Sequence, residues 1–438
     1  YKTLRVMLSL AATRDWELRQ LDVPQAFTQA PLEEDVYMEM PPGYERPGMV
    51  CHLKKSLYGL KQSPRNWYLL ASGFIVSQLG FRATVSDPCI FWRTSRTGQL
   101  MVLFLFVDDI QVAFDEKDTD EWRECHAALT KQFNITDLGE SKYMLGMKIT
   151  RDRRARTITL DQELYVTKAL EKFGLDQCRV QTTPGIPNRD QDSETDTENG
   201  VDSTLPKSDV KLYQEKVGTL LYAAISTRPD IIFAVNKLTQ HMQSPTMRDM
   251  KACDRVFRYL AGTKTMGLLY GRRSDEASSN RRDVDDVESP LVEVYADADW
   301  AGDREDRKSI TGWVATVNGD PVSWTSKKQK VVSQSTCEAE LYAEAAAINE
   351  GKWLSDLLLE LGVTKKNCRP TIYGDNQSTQ ALTKNGIKSE RTKHVAIKYA
   401  YVHDEVAQNR VKLVWIPTTD QVADILTKAL PKAQHQAL

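Results

Sequence analysis

The chain has no C-x-x-C pair and no Cys/His spacing that would hold zinc, although it carries seven cysteines. An odd, scattered set of thiols excludes a disulfide framework and reads as the reduced cysteines of an intracellular protein. Also missing are a signal-peptide pattern and any apolar run long enough to cross a bilayer, so no membrane partner is expected. The longest apolar run, around residues 101–107, has the length of a strand. Charge of one sign is not in excess either: 58 Lys and Arg stand against 60 Asp and Glu, a net charge of -2. No global field draws polyanions, and any phosphate contact must come from local basic patches. There is no internal repeat. What is present is 438 residues, 41% of them hydrophobic, which suits two or three ordinary globular domains. The pattern opens inside a helix-like stretch, TLRVMLSLAA, so the chain reads as part of something longer.

Two polar stretches divide it. Residues 184–209 are acidic and poor in apolar side chains, and residues 271–290 are similarly polar with mixed charge. Both read as linkers. They leave residues 1–183, which mix strands and helices, residues 210–270, which carry helical apolar spacing, and residues 291–438. In the last piece, residues 291–299, 310–318 and 321–326 read as strands. Helices are expected at 336–349 and 351–362, a strand at 370–375, helices at 376–385 and 394–406, a strand at 411–416 and a helix at 420–430. That order predicts a mixed five-stranded sheet flanked by helices.

Asp108 and Asp109 lie between two apolar runs in LMVLFLFVDDIQVAF. Folding does not require two adjacent acids at a strand–strand turn, and their repulsion is unfavourable unless a cation absorbs it. Mg²⁺ suits carboxylate oxygens and keeps positions open for phosphates. Asp22, ending the strand-like stretch before VPQAF, is the candidate third acid. A second set of acids comes later: Asp297 and Asp375 at strand ends, Glu340 and Asp424 on helices. Two strand ends and two helices can aim carboxylates at one point, the arrangement of a two-metal hydrolytic site. Glu338 competes with Glu340, and Asp299 with Asp297.

In order and spacing, LDVPQAF, SLYGLKQSPRNW and LFLFVDDI resemble the reverse transcriptase of copia-type LTR retrotransposon polyproteins. DADWAGD, SWTSKKQ, EAELYA, YGDNQS and RTKHVAIKY resemble the ribonuclease H domain of the same polyproteins. The resemblance implies an α+β palm and thumb polymerase fold with truncated fingers, a helical connection, and an α/β ribonuclease H-like domain. It implies an RNA-directed DNA polymerase that also cleaves the RNA of an RNA–DNA hybrid, with two Mg²⁺ or Mn²⁺ per active site. Asp22, Asp108 and Asp109 would bind metal in the first site, and Asp297, Glu340, Asp375 and Asp424 in the second. Phe27 would be a steric gate against a ribose 2′-OH. Tyr58, Gly59, Lys61, Gln62, Ser63 and Pro64 would lie near the templating base and incoming nucleotide, and Phe106 stands where the family has Tyr. Lys327 and Lys328 are candidates for backbone phosphate, and Arg391, Lys393 and His394 for the hybrid; for His394, helix capping is an equal alternative. Implied partners are an RNA template, a DNA primer, dNTPs, the hybrid, and upstream protease and integrase domains. The implied setting is a cytoplasmic virus-like particle, with the nucleus as a further destination. With fingers truncated, weak or absent polymerase activity is expected. The alternatives are a ribonuclease H-type nuclease on an inert scaffold and an inactive nucleic-acid-binding relic.

Overall fold

The apolar run around residues 100–114 folds as a tight antiparallel hairpin, Leu100–Phe106 paired with Asp109–Phe114. A computed structural model describes residues 1–187, 204–271, 292–303, 306–364, 369–379 and 396–438. Most of both expected linkers, and Arg391, Lys393 and His394, lie outside the described residues. The chain divides into two compact units. One holds Leu10–Met144 with Glu360–Gly362, and the other Tyr1–Ser9, Leu145–Leu359 and Val363–Leu438.

The first unit is built on a six-stranded antiparallel sheet. Its order is Arg82–Ala83, Ile90–Thr94, Leu100–Phe106, Asp109–Phe114, Glu17–Asp22, Thr136–Glu140. Met101, Leu103 and Leu105 pack with Trp67, Ala71 and Ile75 of helix Ser63–Ser77 and with Trp122 and Leu129 of helix Thr119–Gln132. Val102 and Phe104 point to the opposite face and are buried as well. Burial on both faces is why this strand is apolar at every position rather than at alternate ones. Each such side chain contributes about 1.5–3 kcal/mol.

In the second unit a five-stranded sheet runs Asp320–Lys328, Ile310–Val317, Val292–Asp299, Thr371–Gly374, Lys412–Trp415. The first three strands are antiparallel and the last two lie parallel to Val292–Asp299. Two expectations are corrected here. The helices at 336–349 and 351–362 are one 25-residue helix, Thr336–Glu360. Gly351 does not end it. A Cβ there would stand 3.0 Å from Pro370 and 3.2 Å from Val294, so glycine lets the helix lie close on the sheet. The helix expected at 420–430 is replaced by short 3-10 turns, Thr418–Asp420 and Val422–Leu426. Gln421, fully buried, donates to Ala296 O at 2.9 Å and accepts from Ala423 N. That ties the backbone to the sheet and starts a tighter turn.

Helices Lys207–Ser226, Ile232–Thr239 and Met247–Gly262 pack in the same unit. The last is opened by a capping box of Thr246 and Asp249. Buried Arg5 links these helices to the sheet. Its guanidinium donates to Val322 O, Ile225 O and Ser226 O at 2.8–2.9 Å and stacks on Trp324 at 4.0 Å. Trp324 Nε1 in turn donates to Ala224 O.

Asp320, also buried, accepts from Ser9 Oγ and from Gly271 N, yet burial pushes its carboxyl up to about 6. A carboxyl raised in the fold keeps a proton that the unfolded chain would lose. This group's contribution therefore falls as pH rises from about 4 to about 6 and stays low above that, a change of about 3 kcal/mol. Asp320→Asn cannot ionise. Melting temperatures measured from pH 4 to pH 8 should show the variant gaining on the parent as pH rises through that window, with no gain below pH 4.

Candidate active sites

Asp22 ends its strand, and Asp109 begins the neighbouring one. Their register pairs them directly, Asp22 opposite Asp109. Asp108 sits in the two-residue hairpin turn, where its carbonyl accepts from Val23 N at 2.8 Å. The turn's first residue is Val107 with φ 54°, a left-handed conformation that a β-branched residue rarely adopts. Trp67 holds it there: its indole Nε1 donates to Val107 O at 2.6 Å. Burial raises the Asp109 carboxyl above the usual range, Asp108 and Asp22 add to the rise, and a hydrogen bond from Gln20 Nε2 at 3.3 Å opposes it. Trp67 and Gln20 were not singled out from the sequence. Their use depends on contacts across 40 and 89 residues.

Phe27 lies on the short helix Ala26–Gln29, half-buried against the core, and its ring meets exposed Tyr58 at 4.6 Å. Gly59, Lys61 and Pro64 are exposed. Gln62 is the N-cap of helix Ser63–Ser77, and buried Ser63 donates to Leu57 O at 2.6 Å. Phe106 is exposed at the end of its strand, beside the turn.

The second acid set is drawn together more closely. Among the described residues, Asp297, Glu340 and Asp375 are the one group of three whose ligand atoms all lie within 4.8 Å of one another. Asp22, Asp108 and Asp109 do not reach that spacing. Asp297 and Asp375 come from parallel neighbouring strands in which Tyr295 pairs with Tyr373. Each acid lies two residues beyond its tyrosine, so both arrive at the same level. Glu340 projects from the first turns of the long helix. Glu338 does not join it: its carboxylate accepts from Gln334 N at 2.7 Å and caps the helix start. Asp299 is also outside the group of three.

The crowding has a clear electrostatic signature. Burial, then Asp297 and Asp375, push Glu340 up to about 10. Burial and Asp375 push Glu344, one turn along the helix and fully buried, up to about 8. Burial and Asp297 raise Asp424 to about 7, against the pull of Lys428. Glu344 Oε2 has no hydrogen-bond partner. A nest of hard carboxylate oxygens with uncompensated charge fits a divalent cation such as Mg²⁺ or Mn²⁺. Asp375 is held by Thr418 Oγ1 at 2.8 Å and, through its carbonyl, by Trp415 Nε1 at 2.9 Å. Thr427 Oγ1 donates to Asp297. Gly312, paired with Asp297 across the sheet, makes room for the segment carrying Asp424. A Cβ there would stand 2.6 Å from Thr427 Cγ2.

Lys327 is exposed. Lys328 is committed to Asp303 at 2.6 Å, Asp306 at 3.0 Å and Gln240 at 3.2 Å, an ion-pair cluster rather than an open phosphate contact.

Residues 1–187 match the family model described as reverse transcriptase (RNA-dependent DNA polymerase). The chain is 37% identical over 441 residues to the "Retrovirus-related Pol polyprotein from transposon TNT 1-94" of Nicotiana tabacum, covering 99% of this chain and 31% of that protein. It is 35% identical to the corresponding RE1 polyprotein of Arabidopsis thaliana, covering 99% and 28%. With the Ty1-GR2 Gag-Pol polyprotein of Saccharomyces cerevisiae it shares 29%, covering 98% and 24%. The solved structure of LC11-RNase H1, isolated from compost, aligns with 31% of this chain and 92% of its own at 19% identity and TM-score 0.25, too loose a fit to carry an argument. The protein carries a reverse transcriptase domain. More particularly, over nearly its whole length it is similar to the copia-type retrotransposon Pol polyproteins, and it spans about a third or less of the length of these relatives.

Two substitutions separate the sites. Trp67→Phe loses the bond to Val107 O and leaves a gap in the core where the larger indole packed. It should cost about 2–4 kcal/mol in thermal or denaturant unfolding and lower primer extension more than RNA cleavage. Gly312→Ala should cost about 1–3 kcal/mol by overpacking. It should shift the segment carrying Asp424, so that Mn²⁺ raises the melting temperature less in the variant than in the parent.

Proposed function

We propose that this chain is an RNA-directed DNA polymerase joined to a ribonuclease that cleaves the RNA strand of RNA–DNA hybrids. The observation that carries the reading is the convergence of Asp297, Glu340 and Asp375, from two strands and a helix, in a chain whose residues 1–187 match the reverse transcriptase family. Divalent ions held by such carboxylates lower the pKa of an attacking hydroxyl or water and neutralise the leaving oxygen.

The residues of the chain do the rest. Asp22, Asp108 and Asp109 present their oxygens at one end of the sheet, where a primer 3′-OH and a dNTP would meet. Trp67 keeps the hairpin in its left-handed turn, so the two adjacent acids hold their aim. Phe27, braced by Tyr58, is placed to test the sugar of the incoming nucleotide. Tyr58, Gly59, Lys61, Gln62, Ser63 and Pro64 form the neighbouring rim, with Lys61 as a phosphate contact. In the other unit, Asp297, Glu340, Asp375 and Asp424 bind and orient the attacking water against the RNA strand, with Thr418 and Trp415 fixing Asp375. Arg391, Lys393 and His394 are proposed contacts to the hybrid, and Lys327 to its backbone. RNA template, DNA primer, dNTPs and hybrid are then the partners. Protease and integrase domains of a longer polyprotein, and a virus-like particle as the setting, follow from the same reading.

A second reading has one observation behind it. Three of the four hydrolytic acids are gathered within 4.8 Å and the polymerising ones are not. Cleavage without extension would follow from that difference.

A labelled RNA–DNA hybrid with a recessed primer tests both. With Mg²⁺ or Mn²⁺, extension should vanish only in Asp109→Asn and RNA cleavage only in Asp375→Asn, each by at least about a hundred-fold. Neither activity in the parent chain, with hybrid binding retained, would overturn the enzymatic reading.

A further inference from the structure

The fourth acid of the hydrolytic set stands apart from the other three. Asp424 is almost fully buried, but its Oδ1 is paired with Lys428 Nζ at 2.8 Å. The same ammonium lies 3.8 Å from Asp297 Oδ2. Lys428 therefore spans the side of the cluster between Asp297 and Asp424, while Asp297, Glu340 and Asp375 form the close group. The lysine is well anchored at its backbone, where Lys428 N donates to Asp424 O at 3.1 Å, one turn on. Its side chain is not locked in: 42% of it remains exposed. Lysine is a compact cation on a flexible stem, able to leave one partner without unfolding anything. The other charged groups facing it are Asp375 and Asp299, both acidic.

We infer that Lys428 is a tethered counter-ion holding the Asp297–Asp424 side of this site, so that a second divalent cation binds there only by displacing it. The two cation positions then fill unequally. The side formed by Glu340 and Asp375 fills first, and the side held by the lysine fills at higher metal concentration. The inference rests on the reading of these acids as a divalent-cation site and deepens it. Lys428 acts as a positioning residue, since it touches the acids and not the reacting atoms.

The test is Mn²⁺ binding to the whole chain, followed by the electron paramagnetic resonance of free Mn²⁺, in an Asp109→Asn background that weakens the other acid set. The parent should show a tighter and a weaker step assignable to these acids. Lys428→Met should tighten the weaker step by at least about five-fold and leave the tighter one unchanged, while Lys428→Arg preserves the separation. Equal binding curves for the parent and Lys428→Met would overturn the inference. Loss of any difference between the parent and Asp375→Asn would instead overturn the cation-site reading itself. Should Lys428→Met fail to fold, the parent answers by amine acetylation read by peptide mass spectrometry. Labelling of Lys428 should rise several-fold between low and high Mn²⁺, and an unchanged rate would refute displacement.

Discussion

Like charges taken out of water repel strongly, and both acid sets depend on a fold that forces them together regardless. The cost is visible at Glu340, Glu344 and Asp424, whose carboxyls are pushed up to about 10, about 8 and about 7. Lys428 offsets only part of that repulsion, on the Asp297–Asp424 side. The rest is sustained by burial elsewhere: the two-faced apolar strand in one unit, and the long helix pressed on the five-stranded sheet in the other. Such an arrangement is stable only because many apolar contacts outweigh a few bad electrostatic ones.

The two units reach the same end by opposite sheet chemistry. In the first, antiparallel register sets the end of one strand against the start of the next, so Asp22 faces Asp109 and the turn adds Asp108. In the second, parallel register delivers Asp297 and Asp375 at equal height, each two residues past a stacked tyrosine. Antiparallel pairing spends a turn at the acids and so leaves them at a surface, half-buried. Parallel pairing needs long crossovers, and these supply the helix that brings in Glu340 and closes the site over. Depth of burial thus follows from strand direction, and it accounts for the stronger electrostatic perturbation in the second set.

Local pattern made much of this legible before any coordinates. A continuous apolar run predicts a strand buried on both faces, and residues 100–114 fold that way. Acids placed where apolar runs stop predict strand-end carboxylates: Asp22 ends its strand and Asp375 follows the last residue of its own, whereas Asp297 lies inside its strand, which runs on to Asp299. Signals that act across the fold were not legible. A break is expected before Gly351, yet the helix runs through it and this glycine is an approach point for Pro370 and Val294. Residues 420–430 have helical spacing, but Gln421 binds Ala296 and tightens the turn. The choice between Glu338 and Glu340 depends on helix phase, and only Gln334 N shows that Glu338 is occupied by capping. Gly312, Trp67, Thr427 and Lys428 carry no local mark because each matters through one partner more than a hundred residues away or through one short contact.

The place of Asp424 follows from that same dependence. Glu340 is carried by a 25-residue helix, whereas Asp424 is carried by a five-residue 3-10 turn. A segment so short has little stability of its own. Its neighbours Gln421 and Thr427 fasten it to Ala296 and Asp297 on one strand, and Lys428 fastens it to the carboxylates themselves. The fourth acid is therefore positioned partly by the charge state of the site it completes. A change at Asp297 would be felt at Asp424 through Thr427 and Lys428, while Glu340 would keep its place on the helix. Three acids are set by secondary structure and one by the cluster, which makes the Asp297–Asp424 side the adjustable part of the site.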